Sequence, residues 1–235
     1  MKTVIIYGIE HKGSTYNVVQ LFKNRLNICN DDLIEFFLPK DMPHFCIGCC
    51  TCFMKGEELC PHHDYITPIK EAIWNADLVI FASPVYVFHV TGQMKALLDH
   101  FAFQFMIHRP NKSMFTKTAL VISTAAGGGI SSAIKDMTGS LTYWGMSRIF
   151  TFGSAVYAAK WEDVTEKNKQ KIEQKVKKLS SKIKLNIHKP NPGPKAKGLF
   201  YLFRMIHKKM ELIPYDREHW KKHGWLEKKR PWKKD

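Results

Sequence analysis

Apolar residues recur along the chain as short continuous runs that alternate with longer helical patterns. Residues 2–8, KTVIIYG, form a β-branched run that ends in glycine, and residues 14–27 then carry apolar side chains at helical spacing. This pair of patterns repeats four more times before residue 188. The predicted strands are 2–8, 32–39, 77–86, 116–129 and 147–158. The predicted helices are 14–27, 64–76, 91–101, 130–145 and 162–187.

Five strands that alternate with five helices predict an α/β fold with a doubly wound, five-stranded parallel sheet, because right-handed crossovers place helices on both faces. In such sheets ligands bind beyond the carboxyl ends of the strands, where the strand order reverses. We therefore expect function in the loops that follow the first, third and fourth strands.

The composition changes this picture little. The chain of 235 residues is 45% hydrophobic and 12% aromatic, which excludes a disordered protein. No stretch approaches the roughly 20 apolar residues of a membrane span, and the first apolar run is too short for a signal peptide. We therefore expect a cytoplasmic protein, in which clustered cysteines bind metal or do redox work more often than they form disulfides.

The first of these loops, GIEHKGSTYN at residues 8–17, joins a strand to a helix N-terminus and combines glycine, hydroxyl and basic residues. Backbone N–H groups at such a terminus bind phosphate. The loop matches neither the P-loop nor the GxGxxG pattern. The alternative to a phosphate site is an ordinary capped turn.

The loop after the third strand begins the segment SPVYVFHVTGQMKALLDHF, residues 83–101. This segment resembles the Ser-Pro-Val-Tyr, Gly-x-Met-Lys and Asp signature of the flavodoxin-like NAD(P)H-dependent FMN reductases, a family that includes the iron-sulfur flavoproteins. The phosphate-type loop, a Cys-x2-Cys-x2-Cys stretch and a Thr-x-x-Gly-Gly turn follow the same order as in that family. The resemblance covers about residues 1–187, and Ile9 departs from it where many relatives have Ser.

The resemblance implies FMN bound by the three loops, NADH or NADPH as electron donor, a small-molecule electron acceptor, and a homodimer or higher homo-oligomer. The flavin ring would lie between the wall after the third strand and the Gly-rich turn after the fourth. The candidate FMN-binding residues are His11, Lys12, Ser14, Thr15, Tyr16, Asn17, Pro84, Val85, Tyr86, Val87, Phe88, Thr124, Ala125, Ala126, Gly127 and Gly128. No catalytic side chain is expected, because the flavin carries the hydride chemistry. His89 is a candidate for substrate contact.

Five of the six cysteines fall within residues 46–60, CIGCCTCFMKGEELC. Cys46, Cys49, Cys52 and Cys60 have the spacing of a 4Fe-4S cluster, with three close thiolates and a more remote fourth that is followed by Pro. Three interpretations stay open: a 4Fe-4S cluster, as the resemblance to iron-sulfur flavoproteins implies, a metal-free thiol loop as in other family members, and zinc, although its usual paired Cys-x2-Cys spacing is missing.

The remaining conspicuous residues of this region have structural interpretations. Cys50, and Cys29 in the predicted first helix, are expected to be packing residues. Asp64 is placed to cap the predicted second helix. His62 and His63, just before this cap, could be metal ligands beside Cys60, but we expect them to be solvated turn residues.

The positive charge is concentrated at the end of the chain. Of the net charge of +15, residues 189–235 hold 14 Lys and Arg against 5 Asp and Glu, a net +9. We predict a flavodoxin-like FMN-binding domain at residues 1–187, followed by a linker and a basic, partly helical C-terminal extension at residues 188–235. The linker is predicted at residues 188–198 and a basic, apolar helix at residues 199–212. The extension is interpreted as packing on the main domain or on a dimer partner, or as peripheral contact with an anionic membrane. Nucleic-acid binding finds no support in the resemblance.

Two functions therefore stand as hypotheses. The first is an FMN-dependent NAD(P)H oxidoreductase that passes electrons to a quinone, nitroaromatic, flavin or metal ion. The alternative is an iron-sulfur flavoprotein that carries electrons between protein partners.

Overall fold

The computed structural model describes residues 1–187, 191–210 and 212–233, and within them the chain forms five strands, eight α-helices and four short 3-10 helices. The strands are β1 Thr3–Tyr7, β2 Leu33–Phe37, β3 Leu78–Ala82, β4 Thr118–Ala125 and β5 Arg148–Ala155. The helices are α1 Ser14–Leu26, α2 Thr51–Met54, α3 His63–Asn75, α4 Gly92–His100, α5 Ile130–Tyr143, α6 Glu166–Asn186, α7 Pro194–Lys209 and α8 Pro214–Lys222.

The five strands pair in parallel in the order β2-β1-β3-β4-β5. The chain runs outward from β1 to β2 and then returns to the other side of β1 for β3, so the strand order reverses between β1 and β3. This topology confirms the predicted flavodoxin-like, doubly wound sheet. It also fixes where a ligand is expected, at the carboxyl ends of β1 and β3.

Two apolar layers enclose the sheet because side chains alternate between its faces. Ile6 and Phe81 face α3, α4 and α5, whereas Ile5 and Ile80 face α1 and α6. Every residue of β3 and β4 is buried, which explains why these strands read as continuous apolar runs. The central strands therefore give the loops at their carboxyl ends a rigid base.

The C-terminal extension packs on the connection between α4 and β4, residues 101–117, through a third apolar cluster. Phe200, Trp220 and Trp225 are fully buried and contact Met106 and Phe115 of this connection in one cluster. The structure thus shows the extension docked on its own domain. This burial weakens the interpretation that the extension contacts a membrane, because two of its three tryptophans, Trp220 and Trp225, cannot reach a lipid surface. In the described part of the chain, no helix combines the length and the apolar character needed to cross a bilayer.

Three local predictions are wrong. Cys29 follows the C-cap of α1 instead of lying in that helix, and it is exposed, as Cys50 is, so neither cysteine is a packing residue. Helix α3 begins at His63, which places Asp64 in its first turn and not at the cap. Helix α7 begins at Pro194, inside the predicted linker, because proline suits the first turn of a helix. Residues 188–190, where that linker was expected to begin, lie outside the described residues.

Candidate functional site

A cavity of about 190 Å³ opens at the carboxyl ends of β1, β3 and β4, where the strand order reverses; we name it the switch-point cavity. Its lining comes from the loops after four strands and from the first turn of α1. The lining residues are Ile9, His11, Gly13, Ser14, Thr15, Pro84, Val85, Tyr86, Thr124, Ala125, Ala126, Val156, Ala158 and Ala159. The three loops singled out in the sequence therefore meet at one place.

Helix α1 points its N-terminus at this cavity. Among the described residues, none caps this end through a side-chain hydrogen bond, and Gly13 occupies the N-cap position. The first turn carries the hydroxyls of Ser14 and Thr15 and no acidic residue. Free N–H groups and the positive end of the helix dipole make such a terminus a binding site for an anion.

Short hydrogen bonds lock the loops together behind the cavity. The Thr91 hydroxyl donates to the Gly8 carbonyl at 2.6 Å, and the Thr91 amide donates to the Ser83 hydroxyl at 3.1 Å. The hydroxyls of Thr15 and Thr124 lie 2.7 Å apart. Because these groups are buried, their hydrogen bonds fix the start of α4 against the loops after β1 and β3, and the start of α1 against β4.

Residues 86–89 form a tight turn at the rim of the cavity. Tyr86 and His89 exchange both backbone hydrogen bonds, at 2.9 and 3.0 Å, while Val87 and Phe88 take positive φ angles of 47° and 65°. A β-branched residue in this region is strained, and strain of this kind concentrates at ligand-binding sites. Asp136 holds the turn from α5 by accepting hydrogen bonds from the Val90 amide and the His89 ring, at 3.3 and 3.0 Å.

The predicted FMN-binding residues divide into two groups. Nine of them line the cavity: His11, Ser14, Thr15, Pro84, Val85, Tyr86, Thr124, Ala125 and Ala126. The other seven do not line it: Lys12, Tyr16, Asn17, Val87, Phe88, Gly127 and Gly128.

The non-lining residues take other positions near the cavity. The Lys12 ammonium lies over the rings of Tyr16 and Phe37, and the side-chain amide of Asn17 donates to the Gly13 carbonyl at 2.9 Å. The assignment of all sixteen residues to FMN stays a prediction. Sequence reasoning missed Val156, Ala158 and Ala159, because only the sheet brings the end of β5 beside β4.

The cysteine loop, residues 46–60, lies after β2, and all five of its cysteines, the four spaced ones and Cys50, line one small cavity of about 60 Å³. Burial, followed by the charges of Cys60 and Cys46, raises the pKa of Cys52 to about 11. The same influences, burial first and then Cys49 and Cys46, raise the pKa of Cys60. Hydrogen bonds from Thr51 instead lower the pKa of Cys49. The thiols are thus near enough to influence one another's ionisation, and a metal bound among them would stabilise them as thiolates.

Two histidines that were not among the predicted site residues, His62 and His100, line the same small cavity. His62 is half-buried and faces His100, which contradicts its interpretation as a solvated turn residue. His63 is exposed and pairs with Asp64 at 3.0 Å, as expected for a turn residue. His100 gave no signal in the sequence, because it is the last residue of α4 and is distant along the chain from the cysteines.

A buried arginine ties the cysteine loop to the C-terminal extension. The guanidinium of Arg109, in the connection between α4 and β4, donates to the carbonyl of Cys52 and pairs with Glu57 at 3.2 Å. On its other side it forms an ion pair with Asp216 of α8, which is 1% exposed. The His108 ring donates to the same carboxylate at 2.7 Å. The geometry of the cysteine loop therefore depends on a residue more than 150 positions away.

Comparison with known proteins decides the family. The family model of the NADPH-dependent FMN reductases matches residues 1–163, which include all three loops of the switch-point cavity and the cysteine loop. The chain belongs to this family. The expectation of a flavin-dependent oxidoreductase fold and family is thereby confirmed.

Relatives and solved structures agree with this assignment. An iron-sulfur flavoprotein from Archaeoglobus fulgidus is 33% identical over 100 residues, 42% of this chain, and the match spans only 44% of that relative. An iron-sulfur flavoprotein from Clostridioides difficile is 29% identical over 191 residues, 77% of this chain and 76% of the relative. An NAD(P)H:quinone oxidoreductase from Methanothermobacter marburgensis shares the fold, with a TM-score of 0.59 at 14% identity over 75% of this chain and 96% of its own.

Proposed function

We propose that this member of the FMN reductase family is an FMN-dependent NAD(P)H oxidoreductase that passes electrons to a small acceptor such as a quinone, nitroaromatic, flavin or metal ion. One observation carries the proposal. The N-terminus of α1 opens uncapped on the switch-point cavity and offers N–H groups and the hydroxyls of Ser14 and Thr15 to a terminal phosphate.

The rest of the cavity suits the other parts of FMN. Pro84 and Tyr86 provide a flat, partly aromatic wall, and residues 124–126 form the opposite side. Bound FMN would supply hydride acceptance and electron transfer, while these residues position the ring and limit the access of water. The strained turn at residues 86–89 presents its backbone at the rim, where the ring edge and an acceptor would meet.

A charge placed at the helix terminus tests the phosphate site. Ser14→Asp puts a carboxylate where the phosphate would lie, so repulsion should weaken FMN binding by at least about tenfold, or 1.4 kcal/mol. Riboflavin lacks the phosphate, and its affinity should stay unchanged. Ser181→Asp, on exposed helix surface, is the matched control. Equal losses for FMN and riboflavin, or no loss, would contradict the phosphate site.

Turnover tests the reaction. The FMN-loaded chain should oxidise NADH or NADPH under anaerobic conditions when a quinone or free flavin is supplied, and a comparison of both donors assigns the preference. A flavin-loaded chain that oxidises neither donor with any of the four acceptor classes would contradict the enzyme and favour an electron carrier.

A second function is favoured by the five cysteines that line one small cavity, four of which have the spacing of cluster ligands. We propose that Cys46, Cys49, Cys52 and Cys60 hold a 4Fe-4S cluster that exchanges single electrons with FMN, so that the chain is an iron-sulfur flavoprotein serving protein partners. The names of the Archaeoglobus and Clostridioides relatives support this proposal. Each ligand Cys→Ser change should abolish iron binding in anaerobic protein, whereas Cys50→Ser and Cys29→Ser should not. Anaerobic wild-type protein without iron and sulfide would rule the cluster out.

A further inference from the structure

Cys60, His62 and His100 bring one ligand atom each into a volume in which all three atoms lie within 4.8 Å of one another. The three residues come from different elements. Cys60 ends a short turn of the cysteine loop, His62 is the N-cap of α3, and His100 is the last residue of α4. Packing of the domain, not local chain geometry, therefore assembles this group.

Hydrogen bonding fixes which nitrogen of His100 is available. Its Nδ1 lies 2.7 Å from the Ala96 carbonyl, which can only accept, so Nδ1 carries the proton. The lone pair of the neutral ring then lies on Nε2, which points at Nδ1 of His62 across 3.0 Å. A carbonyl that orients the second nitrogen in this way is the usual outer-shell support of a metal-bound histidine.

His62 is oriented by its neighbours as well. The ring of His44 stacks on it with centroids 4.6 Å apart, and the edge of Tyr65 closes against His44. Two nitrogens that each lie about 2.0–2.1 Å from a tetrahedral ion are roughly 3.3–3.4 Å apart. The observed 3.0 Å between the two rings is thus a few tenths of an ångström from the separation that such an ion requires.

We propose that Cys60, His62 and His100 form a mononuclear site for a divalent transition-metal ion of the zinc type, with a fourth position that faces the other cysteines. One thiolate and two imidazoles are the ligand set that such borderline ions prefer. The ion takes the place of the hydrogen between the two rings, and His62 keeps its proton on the other nitrogen. Because Cys60 cannot serve both centres, this ion and a four-cysteine cluster are alternative occupants of the loop.

Cobalt is the probe, because tetrahedral Co²⁺ absorbs in the red, where flavin does not. Iron-free full-length protein titrated with Co²⁺ should develop these bands together with a thiolate charge-transfer band in the near ultraviolet. His62→Ala and His100→Ala should each weaken Co²⁺ binding by at least about tenfold. Cys46→Ser should leave it unchanged, and Cys50→Ser is the matched control within the loop.

The variants separate this site from the proposed cluster. Cys46→Ser should abolish the cluster and keep cobalt, whereas His100→Ala should keep the cluster and lose cobalt. His62 is half-buried, so His62→Ala serves if the buried His100 cannot be replaced without unfolding, and retained FMN binding reports that a variant is folded. Loss of cobalt in Cys46→Ser but not in the histidine variants, or no tetrahedral spectrum in the wild type, would overturn the proposal.

Discussion

The switch-point cavity and the cysteine loop both follow strands of the same sheet, yet they are held in different ways. Around the cavity each loop forms a backbone hydrogen bond to the neighbouring strand within three residues of the end of its own strand. Gly8 donates to Ala82 at 2.7 Å and Val85 donates to Thr124 at 2.9 Å. In the cysteine loop the backbone hydrogen bonds are local, such as Phe53 to Cys50 at 3.0 Å, and most of the residues are exposed.

The difference shows what each site requires from the rest of the chain. The buried sheet fixes the positions of the loops at its strand ends, so these loops are in place once the sheet has formed. A long loop must be held from outside, and here Arg109 holds it by contacting Cys52 and Glu57 of the loop while pairing with Asp216 of the extension. The extension thus supports the cysteine loop, whereas the sheet alone positions the cavity.

Removal of the anchor should produce the largest effect. Asp216→Ala removes the buried carboxylate that pairs with Arg109 and His108, and it leaves the guanidinium with the less buried Glu57. The free energy of unfolding should therefore fall by about 3 kcal/mol, the low end for breaking a buried ion pair. Iron loading of the cysteine loop should fall as well, because the carbonyl of Cys52 loses its fixed donor. Denaturant unfolding and anaerobic iron content are the measurements. Glu218→Ala, an exposed carboxylate on the same helix, is the control.

A double variant sharpens this comparison. Replacing both members of the pair by apolar residues, as in Arg109→Leu with Asp216→Leu, removes the two most buried charges together and should recover part of the lost stability. Glu57, which is less buried, then loses its partner, so the recovery should be incomplete. The double variant should not recover iron loading, since no donor then reaches the cysteine loop. If the double variant recovers iron content together with stability, Arg109 does not position the cysteine loop. The proposed difference in how the two sites are held would then be wrong.

The same contrast explains how much of the structure could be predicted from the sequence. Residues 78–82 and 118–125 are buried on both faces and read as apolar runs, so the strands, their order of appearance and the loops beyond them follow from the pattern. The spacing of the cysteines lies within one short segment, so it too could be recognised from the sequence. Arg109 and Asp216 carry no such pattern, because their pairing spans 107 positions and depends on the docking of α8.

The cavity should respond to a change in the spacing of its loops. A Cβ atom added to Gly8 would lie 2.9 Å from the hydroxyl oxygens of both Ser83 and Thr91, closer than such atoms approach. Gly8→Ala should therefore push apart the loops that follow β1 and β3, and lower the free energy of unfolding by about 1–3 kcal/mol. FMN affinity should fall with little change in iron content. Gly139→Ala, where no atom lies within 4 Å of the added carbon, is the control.

Acid should weaken the anchor side of the molecule. Burial, followed by the charge of His223, lowers the pKa of His219 to about 3. Below about pH 6.5, His219 therefore becomes protonated in the unfolded chain, whereas it stays neutral in the folded chain until the pH approaches 3. The free energy of unfolding should then fall by about 1 kcal/mol per pH unit as the pH drops from 6.5 toward 3.

Unfolding at pH 7.5, 6.5 and 5.5, followed by tryptophan fluorescence, measures this dependence, because Trp220 and Trp225 are buried beside His219. Carboxylates elsewhere titrate too, so the relevant quantity is the difference between wild type and His219→Gln. An identical slope in both proteins would mean that the extension is not the acid-sensitive part.

The smallest predicted effect concerns the wall of the switch-point cavity. Tyr86 lines the cavity and is half-exposed there, so a flavin ring would cover one of its faces. Tyr86→Ala should remove aromatic contact worth about 1 kcal/mol, which weakens FMN binding roughly fivefold. Tyr157→Ala is the matched control, because Tyr157 is more exposed and does not line the cavity. Flavin fluorescence titration measures both, and a loss confined to Tyr157→Ala would place the ring outside the wall formed by the loop after β3.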